Sequence, residues 1–377
     1  MNEAAGRRVA VVFHEPHLGG ATRSVTRIVP ALSAHGWEFC FWVPRPSALF
    51  DHLEAQGHDV AGAPRHVEYS VRAWRVPPGP GTRARSIPPY LRRFREFLRD
   101  RSPDLVHANS IMTVAEALAA RARRRAVLIH IHEMLPGGVR GDLLRRAAWS
   151  LDEVVAVSRA SAERAGRRNR TPRIVYEGTP IPERAAEIRA DPRPFAVGTV
   201  AVVSTRKGSD LFVEAARRIR SESDDFSFEM VGAPNDAVER EWARDLVTRA
   251  QAIGVVHRPE ADTFDRYRSW DAFVLPSRAD PFPIAMLEAM ATGVPVIGTR
   301  RDGLAEQIAD GCGILVEPDD PGALARAIRS LAERDPAERE AMGRAARERV
   351  ASRFNLERQA EGMHEAYLAA LDAARRR

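Results

Sequence analysis

Lysine is almost missing from this chain of 377 residues: Lys207 stands alone beside 56 arginines. A GC-rich codon preference accounts for the arginine, and the one lysine that survives becomes a candidate for chemistry. Cysteine is scarce as well. Cys40 and Cys312 lie far apart with no CxxC spacing, which argues against a disulfide framework and a structural zinc site and makes a reducing cytoplasm the default. Long apolar runs are lacking too. None approaches the roughly 18–20 residues that span a bilayer, and Met1–Arg8 carries no signal-peptide hydrophobic region. No repeat of solenoid period is visible. What is present is an ordinary globular balance of 44% hydrophobic and 29% charged residues, which excludes disorder as the general state. The length predicts two domains of roughly 150–200 residues each.

The charge is unevenly spread. Residues 1–182 hold 28 Arg against 17 acids, a net +11, whereas residues 183–377 hold 28 Arg and one Lys against 34 acids, a net −5. A basic first half points to an anionic partner: a phosphate-bearing ligand, a membrane surface or nucleic acid. Nucleic acid is the weakest of these, because no zinc-finger or RNP-type motif is present.

Strand and helix patterns alternate along the chain. Arg8–Phe13 reads as a buried parallel strand. It is followed by a loop with Gly19 and Gly20, then by a helix over Ala21–His35. Further strands are predicted at Phe39–Val43, Leu105–Ala108, Val127–His132 and Glu153–Val157, with helices over Leu91–Leu98 and Val114–Arg123. Prolines and Gly178 cluster within 171–194, and the linker is placed at 179–194. Beyond it come strands at Phe195–Val203, Phe226–Val231, Ala272–Leu275 and Pro295–Gly298. Helices alternate with them over Asp210–Ser221, Asp236–Ala252, Ile284–Thr292, Gly322–Glu333, Arg339–Arg353 and Leu356–Leu371. The expected architecture is α/β: two doubly wound Rossmann-like domains, 1–178 and 195–354, facing an interdomain cleft, with a tail helix in 355–377 packing back on the first. Ligands in such sheets sit beyond the carboxyl ends of the strands.

Two segments could carry chemistry there. In the first, a strand ends at Leu275, a loop carries Asp280, and Pro283 opens a helix, where its missing N–H is tolerated. Glu288 then lies roughly 7–8 Å further along the helix axis. Two carboxylates at different depths flank a helix N-terminus that suits a phosphate. The plain alternative is a capping Asp280 and a solvated Glu288. In the second segment, Val200–Val203 empties into Ser204-Thr205-Arg206-Lys207-Gly208, which places two cations on a strand-to-helix loop where they can neutralise phosphates. A solvated basic turn is the alternative, and the lone lysine favours function.

With these motifs in view, the chain resembles the glycosyltransferases of family 4, the retaining, nucleotide-sugar-dependent enzymes of GT-B fold. The resemblance runs over nearly the whole chain. It includes Gly19-Gly20, Asp152–Ser158, Lys207-Gly208, Asp280…Glu288 with the spacing of the family's Glu-x7-Glu signature, Gly293–Gly298, Gly303…Glu306 and Gly313–Val316. It implies donor contacts from Gly19, Gly20, Arg206, Lys207, Asp280, Phe282, Pro283, Ile284 and Glu288. Asp280 would meet the donor sugar, Glu288 the ribose and Lys207 the diphosphate. The Gly19-Gly20 amides would reach that diphosphate from the other domain. It implies no cofactor and no metal, with a nucleotide diphosphate sugar as the donor substrate. The sequence departs from the pattern at Asp280, where Glu is commoner, and at Pro281 and Pro283, which remove two N–H groups. It departs again at Val202, where an Arg is usual. These changes bear on the donor sugar more than on the reaction class.

Nine of the eleven histidines fall in the first domain. His14, His107 and His132 are predicted at strand ends on the acceptor side. His132 resembles the family's acceptor-side histidine, and with Lys207 and Asp280 it completes the candidate catalytic set. Arg72–Arg101 holds nine Arg, and Ile87, Tyr90, Leu91, Phe94, Phe97 and Leu98 mark an apolar face within it. Such a helix can lie on anionic lipid. It can equally cover a sheet, and the following strand favours that. The expectation is a cytoplasmic protein, with the inner membrane face as a peripheral contact and a lipid-linked, anionic, carbohydrate or small-molecule acceptor. Sugar-nucleotide 2-epimerases share the fold and stay open as an alternative, as does a non-catalytic sugar-nucleotide binder.

Overall fold

The computed structural model describes residues 4, 6–63, 87–191, 193–233, 239–259, 263–309 and 311–377. The basic stretch 72–86, Pro192 and the start of the helix predicted from Asp236 lie outside the described residues. The chain divides into two compact units, Met1–Glu177 with Leu356–Arg377, and Gly178–Asn355.

The first unit starts with β1 (Arg7–Val12), α1 (Gly20–Ala34), β2 (Trp37–Pro44), α2 (Ala48–Ala55) and β3 (Asp59–Ala63). It continues through α3 (Ile87–Arg101), β4 (Leu105–Asn109), α4 (Val114–Arg121) and β5 (Ala126–Ile131). Then come α5 (Gly138–Ala148), β6 (Glu153–Ala156), α6 (Arg159–Ala165) and β7 (Arg173–Ile174). All its strands run parallel, in the order β3-β2-β1-β4-β5-β6-β7. Buried on both faces, the inner strands need continuous apolar runs, and β1, β4 and β5 supply them with Val, Leu and Ile. Much of the apolar side of α3 is taken up inside the unit: Phe94 and Phe97 are buried against Trp42 and Leu98 is buried as well, while Arg92, Arg93, Arg95 and Arg99 face outward.

The second unit comprises β8 (Phe195–Val200), α7 (Ser209–Arg220), β9 (Phe226–Val231), α8 (Arg240–Ala252) and β10 (Val255–Arg258). It goes on through α9 (Thr263–Ser269), β11 (Ala272–Leu275), α10 (Ile284–Thr292), β12 (Val296–Thr299) and α11 (Asp302–Gln307). β13 (Ile314–Val316), α12 (Pro321–Ala332) and α13 (Pro336–Arg353) finish it. Its strand order is β10-β9-β8-β11-β12-β13, again all parallel. In both sheets a strand order that runs backwards and then jumps forward creates a switch point, between β1 and β4 in one and between β8 and β11 in the other. β8 stops at Val200 rather than at the predicted Val203. Beyond it the Ser204 N–H is taken by the Ser209 hydroxyl at 3.1 Å, which turns the chain out of the sheet.

The final helix, α14 (Leu356–Arg375), belongs to the first unit. Its Met363, Ala366, Tyr367 and Ala370 join the core formed by Val9, Val11, Phe41 and Leu128. Gln359 donates to the Ser24 hydroxyl at 2.7 Å, and the Trp37 indole donates to His364 Nδ1 at 2.9 Å.

Candidate active site

In the second unit, the loops after β8 and β11 leave the sheet side by side at the switch point. Gly208 has φ +69°, and a Cβ there would stand 2.0 Å from the Pro276 carbonyl oxygen. Only glycine allows the first loop to pass so close to the second. The approach delivers Lys207 to Asp280, with Nζ 2.5 Å from Oδ2 and both side chains largely buried. The Ser277 hydroxyl donates to the same oxygen at 3.2 Å. The backbone of Asp280 is braced from α11, since its N–H donates to Asp302 Oδ2 at 3.2 Å and its carbonyl accepts from Gly303 at 3.0 Å.

Arg278 ties the two loops from behind. Its guanidinium donates to the Thr205 carbonyl and to both oxygens of Asp210 at 2.7–2.8 Å, and to Asp319 at 2.5 Å. The Asp210 carboxylate raises its pKa further, so the strap is permanently charged. Arg206 is half exposed, donates to the Ala279 carbonyl at 3.0 Å and stands 4.0 Å from Asp280. Phe282 is buried edge-on against Phe354, with centroids 5.4 Å apart. Pro283 is the N-cap of α10, whose first turn holds no acid, and Ile284 begins the helix. Glu288 is only 3% exposed and accepts from the Tyr267 hydroxyl at 3.2 Å. It is therefore a buried carboxylate and not a solvated one. A cation, a buried carboxylate, helix-start amides and a second carboxylate deeper along the helix are thus brought together within one unit.

The first unit has its own cluster at the switch point. Gly19 is the N-cap of α1, Gly20 is its first residue, and no acid lies in that first turn. A Cβ on Gly19 would meet a Glu15 carboxylate oxygen at 2.5 Å, so a bare α-carbon is what lets Glu15 lie there. His14 is half-buried, with Nε2 3.7 Å from Glu15 Oε1. Ser110 follows β4 with φ +130°, a costly backbone for a residue with a Cβ. It holds the position by bonding to the Glu133 carboxylate. His132 follows β5, with Nδ1 3.0 Å from Glu177 Oε1 and Nε2 2.8 Å from Asn109 Oδ1.

His107 requires a correction. It lies inside β4 rather than at its end, is fully buried, and its Nδ1 meets the Tyr367 hydroxyl at 2.8 Å. Burial, then the nearby His132, hold its ring down to about 3. It is a neutral core residue, and nothing can reach it as an acceptor. His130, one strand period before His132, is equally buried and held far below the ordinary range for the same reasons. Among the described residues no group of three or more His, Cys, Asp or Glu could hold a metal ion, and no helix is long and apolar enough to cross a membrane.

Sequence reasoning missed Asn109, Ser110, Glu133 and Glu177 around His132, and Ser277, Arg278 and Tyr267 around the lysine. Glu133 and Arg278 had a signal, being next to or two residues from a candidate. Glu177 had none, because its partner is far away in the sequence.

Two family models match the chain. "Glycosyltransferase Family 4" covers residues 18–181 and "Glycosyl transferases group 1" covers 181–349. A D-inositol 3-phosphate glycosyltransferase of Paenarthrobacter aurescens (strain TC1) is 36% identical over 146 residues, 37% of this chain and 36% of that protein. A glycogen synthase of Mycobacterium tuberculosis (strain CDC 1551 / Oshkosh) is 32% identical over 140 residues, 36% of this chain and 34% of that protein. The matched region thus spans well under half the length of these relatives. Among solved structures, Anabaena Alr3699/HepE in complex with UDP and glucose superposes with a TM-score of 0.78 at 18% identity, covering 95% of this chain and 98% of that one.

Proposed function

This chain belongs to the glycosyltransferases of group 1 and family 4, and from that premise we propose that it moves a sugar from a nucleotide diphosphate sugar to an acceptor, with retention at the anomeric carbon. The observation that carries the reading is the buried Lys207–Asp280 pair beside the start of α10, with Glu288 deeper on the same helix. Lys207 and the amides at the start of α10 suit a diphosphate. Asp280 suits the hydroxyls of the sugar, and Glu288 suits the diol of the ribose. Arg206 adds a half-exposed second cation, Phe282 and Ile284 offer backbone N–H groups, and Pro283 sets where the helix starts.

In the transfer, the bond from the anomeric carbon to the diphosphate oxygen breaks while the acceptor oxygen bonds to the same face of that carbon. The acceptor's proton leaves with the departing phosphate oxygen. Lys207 stabilises charge as it grows on the diphosphate, where such a donor is worth most. In the first unit, His14 and His132 suit the acceptor, and the amides at the α1 start, Gly19 and Gly20, suit the diphosphate. A structural neighbour's complex with UDP and glucose makes uracil the first base to try. An acceptor bearing phosphate or a lipid diphosphate suits the basic first half, and peripheral contact with an inner membrane face would follow from such a substrate.

The test is calorimetric titration with a panel of nucleotide diphosphate sugars, followed by product analysis with candidate acceptors. Donor binding that is lost in Lys207→Ala, and a product with the donor's anomeric configuration, support the reading. Conversion of the donor to its 2-epimer without an acceptor would overturn it in favour of an epimerase. Binding without turnover over a broad acceptor panel would reduce the protein to a sugar-nucleotide binder.

A further inference from the structure

The hydrogen count around His132 does not balance for a neutral ring. Nδ1 faces the Glu177 carboxylate at 3.0 Å and Nε2 faces Asn109 Oδ1 at 2.8 Å, so both nitrogens look at acceptors. Turning the Asn109 amide over does not help, because its Nδ2 donates to the Ala21 carbonyl at 3.0 Å and a flip would set oxygen against oxygen there. A neutral imidazole has one N–H to give, and the site calls for two. The hydrogen between Nδ1 and Glu177 is placed on the imidazole, which the carboxylate then holds as an ion pair.

The surroundings fit one extra charge and no more. The His130 ring lies 4.1 Å from His132 between centroids, and His107 lies 5.4 Å beyond it. Both of these are kept neutral by burial. Glu133 accepts the backbone N–H of His132 at 3.1 Å, and burial lifts its carboxyl above the usual range. His132 and Glu177 are themselves largely buried, with side chains 7% and 5% exposed.

We propose that His132 carries hydrogen on both ring nitrogens in the resting protein, and that Glu177 is the positioning residue that keeps it so. The ring is then a fixed cation that donates hydrogen bonds, and it is not free to accept the acceptor's proton. That task stays with the departing diphosphate oxygen. The catalytic consequence rests on the transferase reading given above; the state of the ring does not.

The experiment uses the full chain with ¹⁵N in its histidine rings, observed by ring correlation NMR at pH 7, with His132 assigned by its loss in His132→Gln. Two ring N–H signals are expected in the wild type, one in Glu177→Gln, and two again in Glu177→Asp, which keeps a carboxylate on the same side of the ring. In assays, E177Q should lose about tenfold or more in kcat with donor KM nearly unchanged, and Glu177→Asp should recover most of it. A wild-type ring with one bare nitrogen at pH 7 overturns the proposal. So does an E177Q ring that keeps both hydrogens. Should E177Q fail to fold, the wild-type spectrum still decides. Two N–H signals in a protein that transfers no sugar would leave this inference standing and remove the function.

Discussion

Lys207 Nζ and Asp280 Oδ2 are 2.5 Å apart, so the chain's one ammonium is held by a carboxylate that is only 5% exposed. Each is the other's counter-charge until an anionic ligand arrives. Replacing Lys207 with Ala should lower kcat by about 10²–10³-fold. The fold should survive, because Asp280 keeps the Ser277 hydroxyl and the Asp302 brace. Initial rates and a thermal melt check both parts. A rate near that of the wild type would remove the phosphate role from Lys207.

Gly208→Ala should cost about 2 kcal/mol or more. A left-handed backbone alone costs a Cβ-bearing residue roughly 1–2 kcal/mol, and the new methyl would meet the Pro276 carbonyl oxygen at 2.0 Å. Urea unfolding measures the loss, and titration with donor should show weakened binding because the two loops must part. A variant of wild-type stability would contradict the close approach.

Acid should weaken the first unit through its two buried neutral histidines. His107 is held down to about 3, and His130 is far below its ordinary value, so both stay neutral in the folded protein. In the unfolded chain each takes up a proton below about pH 6.5. The unfolded state therefore binds more protons as pH falls, and the stability present above 6.5 is lost on the way down, toward 3 for His107. Each ring contributes a slope of about 1.4 kcal/mol per pH unit. Between pH 6.5 and 5, unfolding free energy should drop accordingly, and His130→Leu should remove one ring's share. A flat profile in that window would count against two neutral buried rings.

Tyr267→Phe tests how Glu288 is aimed. The hydroxyl is 3.2 Å from the carboxylate, and its removal should weaken donor binding a few-fold while Glu288→Ala weakens it about tenfold or more. Calorimetry with nucleoside diphosphate alone, without the sugar, should show the same order. Equal affinities in all three proteins would take Glu288 out of the nucleotide site.

What the sequence revealed is what depends on neighbours along the chain. The apolar runs of β1, β4 and β5 are local, and so is the strand–loop–helix punctuation around Asp280 and Glu288. α5 was not legible, because Gly138 and Gly141 weaken a helical pattern. The structure explains Gly141, where a Cβ would stand 1.8 Å from the Pro136 carbonyl oxygen. His107 was misplaced for a related reason. Its strand runs on to Asn109, and a partner on α14 makes it a core residue. Glu177 and Asn109 became visible only once β4, β5 and the chain after β7 lay side by side.

The late return of α14 has a consequence for biosynthesis. Residues 178–355 form a continuous unit, whereas the first unit takes Met363, Tyr367 and Ala370 into its core from the far side of that stretch. On the ribosome, the segment translated first must wait, incomplete, while the one behind it emerges whole. The order of maturation is thereby the reverse of the order of synthesis, and a released chain ending near residue 355 should resist protease in its later part and be cut in its earlier one.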